Sequence, residues 1–268
     1  MHVPNLTGIP ETMLWTLHNR AGEALHENGI IRDPKCCEIY KALDYDFERS
    51  FGKADGSHAM RSCFFDERLR EFLARHPDGV IINLGEGLET QRFRVVGDEA
   101  LWFSIDLPDA IAIRERFIQP DEQHRHIGIS ALDTRWMDAV PNDRPIYMTA
   151  QGLLMYFTPN EVKDLVVAMA ERFPGAWIAF DHIPEWLSRK TQGGWQKTPH
   201  YRTPEMPWGI NFTEVEQTFR QWVPGIQAFH QTHFKMPRGI WRYLGPIFIA
   251  LPFMRPIAPG ISWLQFAD

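Results

Sequence analysis

The spacing of apolar residues changes character near residue 79. From residue 11 to residue 76 it is helical. Between Arg61 and Arg75, Phe65, Leu69, Phe72 and Leu73 share one face, and His76-Pro77-Asp78-Gly79 ends the segment. Beyond that stop, short β-branched runs take over. Val80-Ile81-Ile82-Asn83-Leu84 lies between two glycines and reads as a buried parallel strand. Leu101 to Ile105 is a second, closed by Asp106, with Pro108 placed to open a helix. His126 to Ile129 is a weaker third and Pro145 to Ala150 a fourth.

Thr158-Pro159-Asn160-Glu161 fits a capping box with proline at the first helical position. The stripe Val162, Leu165, Val166, Met169, Ala170 and Phe173 follows it and stops at Pro174-Gly175. Ala176 to Phe180 is a fifth strand, closed by Asp181. Strands alternating with helices predict an α/β domain with a mostly parallel sheet covered on both faces. We expect one domain in four stretches: N-terminal helices (1–76), a core (77–184), a Trp-, Pro- and Gly-rich cap or insertion (185–225), and C-terminal strands (226–268). The last stretch offers Gln227 to Lys235 and Ile261 to Phe266 as edge strands.

Composition narrows the options. The 268 residues carry 28 Lys plus Arg against 34 Asp plus Glu, a formal net charge of -6, which disfavours a nucleic-acid partner. Cys36, Cys37 and Cys63 have neither the number nor the spacing of a disulfide framework or a zinc site, so no metal is expected. No signal peptide is visible at the amino terminus. The longest apolar stretch, Leu244 to Ile257, is cut by three prolines and an arginine and is too short to span a bilayer. The expectation is a cytoplasmic protein with no membrane partner and an oligomeric state the sequence leaves open.

In an open parallel sheet, ligands bind beyond the carboxyl ends of the strands. The first strand is followed by Gly85-Glu86-Gly87, and Asp106 ends the second, 21 residues after Gly85. Glycines let backbone approach a ligand closely, and an acid at that place suits a ribose diol. The pair indicates an adenosine-containing cofactor and leaves open which one. Two details favour S-adenosylmethionine over a dinucleotide. Thr90 stands where a third glycine would be, and Glu86 would repel a pyrophosphate, whereas a sulfonium and an ammonium tolerate an acid. A solvated Glu86 that touches nothing is the alternative.

These runs, taken together, carry a family resemblance. Ile31-Arg-Asp-Pro34, Leu43-Asp-Tyr-Asp-Phe47, Arg61 with Asp66, Val80 through Thr90, Ile105-Asp-Leu-Pro-Asp109, Ser130-Ala-Leu-Asp133 with Trp136, Gln151-Gly-Leu-Leu-Met-Tyr-Phe157 and Phe173-Pro-Gly175 occur in order. The chain resembles the class I methyltransferases that group leucine carboxyl methyltransferases with tetracenomycin-type polyketide O-methyltransferases, in the bacterial branch, over residues 9 to about 190. Met206-Pro-Trp-Gly209 extends the likeness more loosely. The resemblance implies a Rossmann-like, mostly parallel seven-stranded sheet and S-adenosyl-L-methionine as cofactor. Arg61 would pair with the cofactor carboxylate. Gly85 and Gly87 would face its methionyl part, Asp106 its ribose, and Ser130, Ala131 and Leu132 its adenine, with Glu86 and Leu107 also in the cofactor site. Gln151 replaces a common glutamate near the methionyl part and would still accept a hydrogen bond from an ammonium. The neighbourhood Gln91-Arg92-Phe93 departs from the family pattern without an interpretable role.

Methyl transfer from a sulfonium needs alignment and exclusion of water more than acid–base help. His182 is the histidine expected to act if a base is needed, and Tyr156 is expected on the acceptor side. Trp186, Trp195, Tyr201 and Trp208 are expected to shape an apolar acceptor pocket. The expected activity is O-methylation of a small polyketide-like or other natural-product hydroxyl or carboxylate. A protein carboxyl terminus as acceptor, or cofactor binding without transfer, are the alternatives.

Overall fold

In the computed structural model, residues 8–234 and 238–268 are described. Among the described residues, four α-helices precede the first strand: α1 (Thr12–Ala24), α2 (Pro34–Ala42), α3 (Phe47–Phe51) and α4 (Ser57–Leu73). Asp33 caps α2 by accepting from the Cys36 amide, and Pro34 occupies its first turn. The predicted apolar face of α4 is the one that is buried. Phe65, Leu69, Phe72 and Leu73 pack on Ile81, Trp102, Tyr147 and Ala179 of the sheet. Phe65 and Leu69 are fully buried, about 1.5–3 kcal/mol each by area.

The alternating part then runs β1 (Val80–Leu84), α5 (Gln91–Arg94), β2 (Leu101–Asp106), α6 (Pro108–Arg114), β3 (His124–Gly128), β4 (Ile146–Ala150), α7 (Pro159–Arg172) and β5 (Trp177–His182). The capping box at Thr158 is formed in both directions, with Glu161. After α8 (Glu185–Thr191), the short hairpin β6 (Gln196–Thr198) and β7 (Tyr201–Arg202), and α9 (Val215–Trp222), the chain adds β8 (Ala228–His233), α10 (Trp241–Ala250) and β9 (Gly260–Gln265). Among the described residues, no helix is long and apolar enough to cross a membrane.

The seven-stranded sheet has the order β3-β2-β1-β4-β5-β9-β8. The first five strands are parallel, and β9 runs antiparallel to both of its neighbours. This is the expected Rossmann-like, mostly parallel sheet with helices on both faces. From β1 the chain moves outward through β2 and β3, then returns to place β4 on the other side. The order reverses at β1/β4, which opens a crevice at the carboxyl ends of those strands.

Several strands differ from expectation. β3 begins two residues early because His124, Arg125 and His126 supply no apolar signal yet pair through backbone with Trp102, Phe103 and Ser104. β5 continues through Asp181 and His182 because β9 pairs with both. β9 lies inside the sheet, so of the two predicted edge strands β8 alone is at an edge; Lys235, the end of that predicted run, lies outside the described residues.

The stretch 185–225 is built into the main body. Trp208, Val215 and Phe219 join the principal core with Phe180. Tyr201 packs with Trp15 and Phe51 of the N-terminal helices. For Tyr201 and Trp208 the expected role in an aromatic acceptor pocket is therefore corrected. Tyr201 and Trp208 are packing residues, Trp186 donates its indole N–H to the Ile257 carbonyl at 2.8 Å, and Lys190 lies over the Trp195 ring.

Candidate active site

The turn after β1 is fixed by its own polar atoms. Gly85 and Gly87 adopt φ of 63° and 51°, in the left-handed region that only glycine enters freely. The Gly85 amide donates to the Ile105 carbonyl at 2.8 Å. The Gly87 amide donates to Asp106 at 2.7 Å, and the other Asp106 oxygen accepts from the Leu107 amide at 2.8 Å. A side chain at Gly87 would meet Met13 Cβ at 3.0 Å, so glycine also lets α1 close over the turn. Burial raises the Asp106 carboxyl above its ordinary value, against the lowering effect of the two amide donors.

Glu86 turns inward. Its carboxylate accepts from Asn83 at 3.1 Å and from the Ser104 hydroxyl, and pairs with Arg114 at 3.0 Å. This corrects the reading that set Glu86 against a pyrophosphate. Its charge is compensated by Arg114, and it joins β1, β2 and α6 instead of supplying a bare acid to the ligand.

Opposite the turn, Arg61 of α4 donates from Nη1 to Asp181 Oδ2 at 3.0 Å. Asp181 Oδ1 accepts from the Gly152 amide at 2.5 Å. Gly152 has φ of 67°, and a Cβ there would stand 2.6 Å from Arg61 Nη1. One carboxylate thus orders both Arg61 and the loop after β4. Two buried polar atoms in this region have no protein partner: Arg61 Nε and Gln151 Oε1.

A cleft lies between these walls. Arg61, Gly85, Glu86, Gly87, Asp106, Leu107, Gln151 and Tyr156 all line it. Burial pushes the Tyr156 phenol up to about 12, with a hydrogen bond to Thr12 pulling the other way, so it stays protonated and can donate. Thr12, Met13, Thr16, Asn83, Thr149 and Leu153 also line the cleft and were not anticipated. Asn83 and Thr149 sit near strand carboxyl ends, a signal that was available. Thr12, Met13 and Thr16 arrive by docking of α1, which leaves no local trace.

Four expected site residues lie elsewhere. Ala131 is buried in the core and its carbonyl accepts from the Trp136 indole at 3.0 Å; the Ser130 hydroxyl accepts from the Leu132 amide; Leu132 packs on the core. None of the three is part of the cleft wall. His182 is a clear correction. It is fully buried on the face of β5 opposite Asp181, its ring against Phe212 and 2.9 Å from where a Gly260 Cβ would stand. Burial, with His233 beside it, lowers its pKa to about 3, against the raising effect of a backbone hydrogen bond at Ile210. It does not reach the cleft.

Behind the cleft lies a buried ionic cluster. Arg94 reaches Asp33 at 2.6 Å, Asp66 at 2.7 Å and Glu89 at 2.8 Å, and Arg20 reaches Glu89 at 3.0 Å. Burial would raise the Glu89 carboxyl, but Arg20 and Arg94 outweigh it and hold it far below the usual range. Asp33, Asp66 and Glu89 all fall in the runs that carried the family resemblance. The uninterpreted Gln91-Arg92-Phe93 stretch is the helix that delivers Arg94.

The pattern of leucine carboxyl methyltransferase matches residues 16–170. The tetracenomycin polyketide synthesis O-methyltransferase of Streptomyces glaucescens is 33% identical over 187 residues, 69% of this chain and 69% of that protein. An S-adenosyl-L-methionine-dependent methyltransferase of Gibberella zeae is 29% identical over 186 residues, 63% of this chain and 62% of that one. Among solved structures, a candidate methyltransferase from Thermobifida fusca superposes with TM-score 0.56 at 15% identity, over 93% of this chain and 94% of that one. A DUF574 family protein from Streptomyces avermitilis gives 0.54 at 12% identity, over 92% and 96%. These two similarities bear on the fold.

Proposed function

The chain belongs to the leucine carboxyl methyltransferase family, and from that premise we propose that its cleft methylates an acidic oxygen, phenolic, enolic or carboxylic, of a small polyketide-like acceptor. The enzyme is an S-adenosylmethionine-dependent methyltransferase. When bound, the cofactor supplies a methyl carbon activated by the sulfonium. The residues fit it. Arg61 presents a guanidinium edge to the carboxylate. Gln151 Oε1, buried and without a protein partner, accepts from the ammonium. Asp106 retains lone pairs for the ribose hydroxyls after taking two amides. Leu84, Leu107 and Ala110 offer apolar contact.

The observation that carries the proposal is the orphaned Gln151 Oε1 in one cleft with Arg61 and Asp106. An acceptor for a cation, a donor for an anion and an acid for a diol match the three polar groups of the cofactor. The oxygen class follows from what else lines the cleft. Among the described residues there is no histidine in its wall, and Tyr156 holds its proton. An acceptor that ionises by itself suits such a wall; an aliphatic alcohol would need a base.

Calorimetric titration with S-adenosylhomocysteine, followed by methyl-transfer assays on phenolic, enolic, carboxylic and alkanolic acceptors, tests the reading. Binding, with turnover confined to the acidic acceptors, is expected. Turnover on alkanols, or only on peptides ending in a free carboxyl group, would overturn the acceptor assignment.

A further inference from the structure

We propose that residues 239–257, carried between β8 and β9, dock this protein on the surface of an anionic lipid bilayer. The segment is fastened at both ends. Arg238 makes two hydrogen bonds to the Glu23 carboxylate, at 2.7 and 3.0 Å, and at the far end the Trp186 indole donates to the Ile257 carbonyl and the Phe212 amide to the Pro256 carbonyl. Between those anchors the apolar side chains face out. Ile240, Tyr243, Ile247 and Phe253 are 65%, 70%, 62% and 69% exposed. A soluble surface rarely gathers so many large apolar groups without a use. α10 is ten residues long, about 15 Å, so it can lie in a bilayer interface but cannot cross one. The proposal agrees with the absence of a spanning helix among the described residues and departs from the expectation of no membrane partner.

Charge selects the occupant. From Gln217 to Ala267 there is no acidic residue; Arg220 and Arg238 are paired with Glu216 and Glu23, which leaves Arg242 and Arg255 as the basic side chains of the described tract without a carboxylate ion pair. Arg242 and Arg255 flank the exposed apolar groups with no acid from their own tract nearby in sequence. An anionic surface would attract this side and repel the rest of the molecule. A second copy fits poorly, because a two-fold contact through this patch sets its arginines against the same arginines. The patch also sits at the functional end of the sheet. His233 and Gly260, which bracket the segment, pair with each other, and Gly260 pairs with His182, next to Asp181. The proposal does not depend on which acceptor is methylated.

Vesicle co-sedimentation of the full chain tests it, using phosphatidylcholine alone and phosphatidylcholine mixed with phosphatidylglycerol. Binding to the mixed vesicles, falling with salt, is expected. Ile247→Glu with Phe253→Glu should reduce it about tenfold or more, and Arg242→Glu should reduce it on the mixed vesicles only. Unchanged melting temperatures would show that these variants remain folded, as expected for exposed positions. No partition by the wild type, or partition that all variants retain, would overturn the proposal. So would sedimentation velocity showing a dimer that Phe253→Glu dissociates.

Discussion

Arg61 and Asp181 form an ion pair at 3.0 Å with side chains only 6% and 5% exposed, although 120 residues separate them. The pair joins α4 to the end of β5 and sets the guanidinium at the cleft. An arginine held this way is pre-oriented for a carboxylate ligand, which limits the entropy lost on binding.

Asp181→Asn removes the charge that compensates Arg61 in a buried place. We expect a stability loss of about 3 kcal/mol in urea denaturation, the cost of breaking a buried pair from one side. Cofactor binding should also weaken. A variant as stable as the wild type would mean that solvent already screens the pair.

Gly152→Ala introduces a Cβ 2.6 Å from Arg61 Nη1 at a backbone with φ of 67°. Displacing one charged hydrogen bond to the cofactor should raise its Kd about tenfold, read by calorimetry. Affinity equal to the wild type would show that Arg61 does not contact the cofactor.

Gln151→Glu places a charge where an uncharged acceptor now stands without a protein partner. We expect tighter cofactor binding by several-fold at low salt, with the advantage shrinking as salt rises. Gln151→Leu should weaken binding. If both variants match the wild type, the ammonium lies elsewhere.

Arg94→Met leaves Asp33, Asp66 and Glu89 facing one another without their shared cation. Loss of about 4 kcal/mol or more is expected by chemical denaturation. Arg92→Ala, which removes only a more exposed pair with Asp121, should cost under about 1 kcal/mol. Similar losses in the two variants would refute the distinction.

His182 should matter to acid stability and not to turnover. Its folded pKa of about 3 lies below the unfolded value near 6.5, so the folded state keeps it neutral. The associated stability is fully present above pH 6.5. It is lost as pH falls toward 3, at about 1.4 kcal/mol per pH unit, because only the unfolded chain takes up the proton. Between pH 6.5 and 4.5, His182→Gln should therefore lose about 2 kcal/mol less than the wild type in urea titrations. A drop in kcat for this variant with its fold intact would restore the histidine to catalysis.

The element order, the glycine turn, Asp106, the capping box at Thr158 and the family resemblance were legible because each is a short-range pattern. Strand runs, turn residues and caps are set by neighbours within a few positions, and strand ends mark where an open sheet binds ligands. What the sequence left undetermined follows from the sheet being covered on both faces. Asp181 and His182 are adjacent and point to opposite sides, yet with helices above and below no alternation of polar and apolar residues tells which side meets the cleft. Tertiary packing made Asp181 the partner of Arg61 and buried His182 behind the strand. It turned Glu86 toward Arg114, brought α1 over the turn, and gathered the acids of three separate segments around Arg94. Those contacts span up to 120 residues, and spacing along a chain carries no record of which charges will meet when apolar faces close.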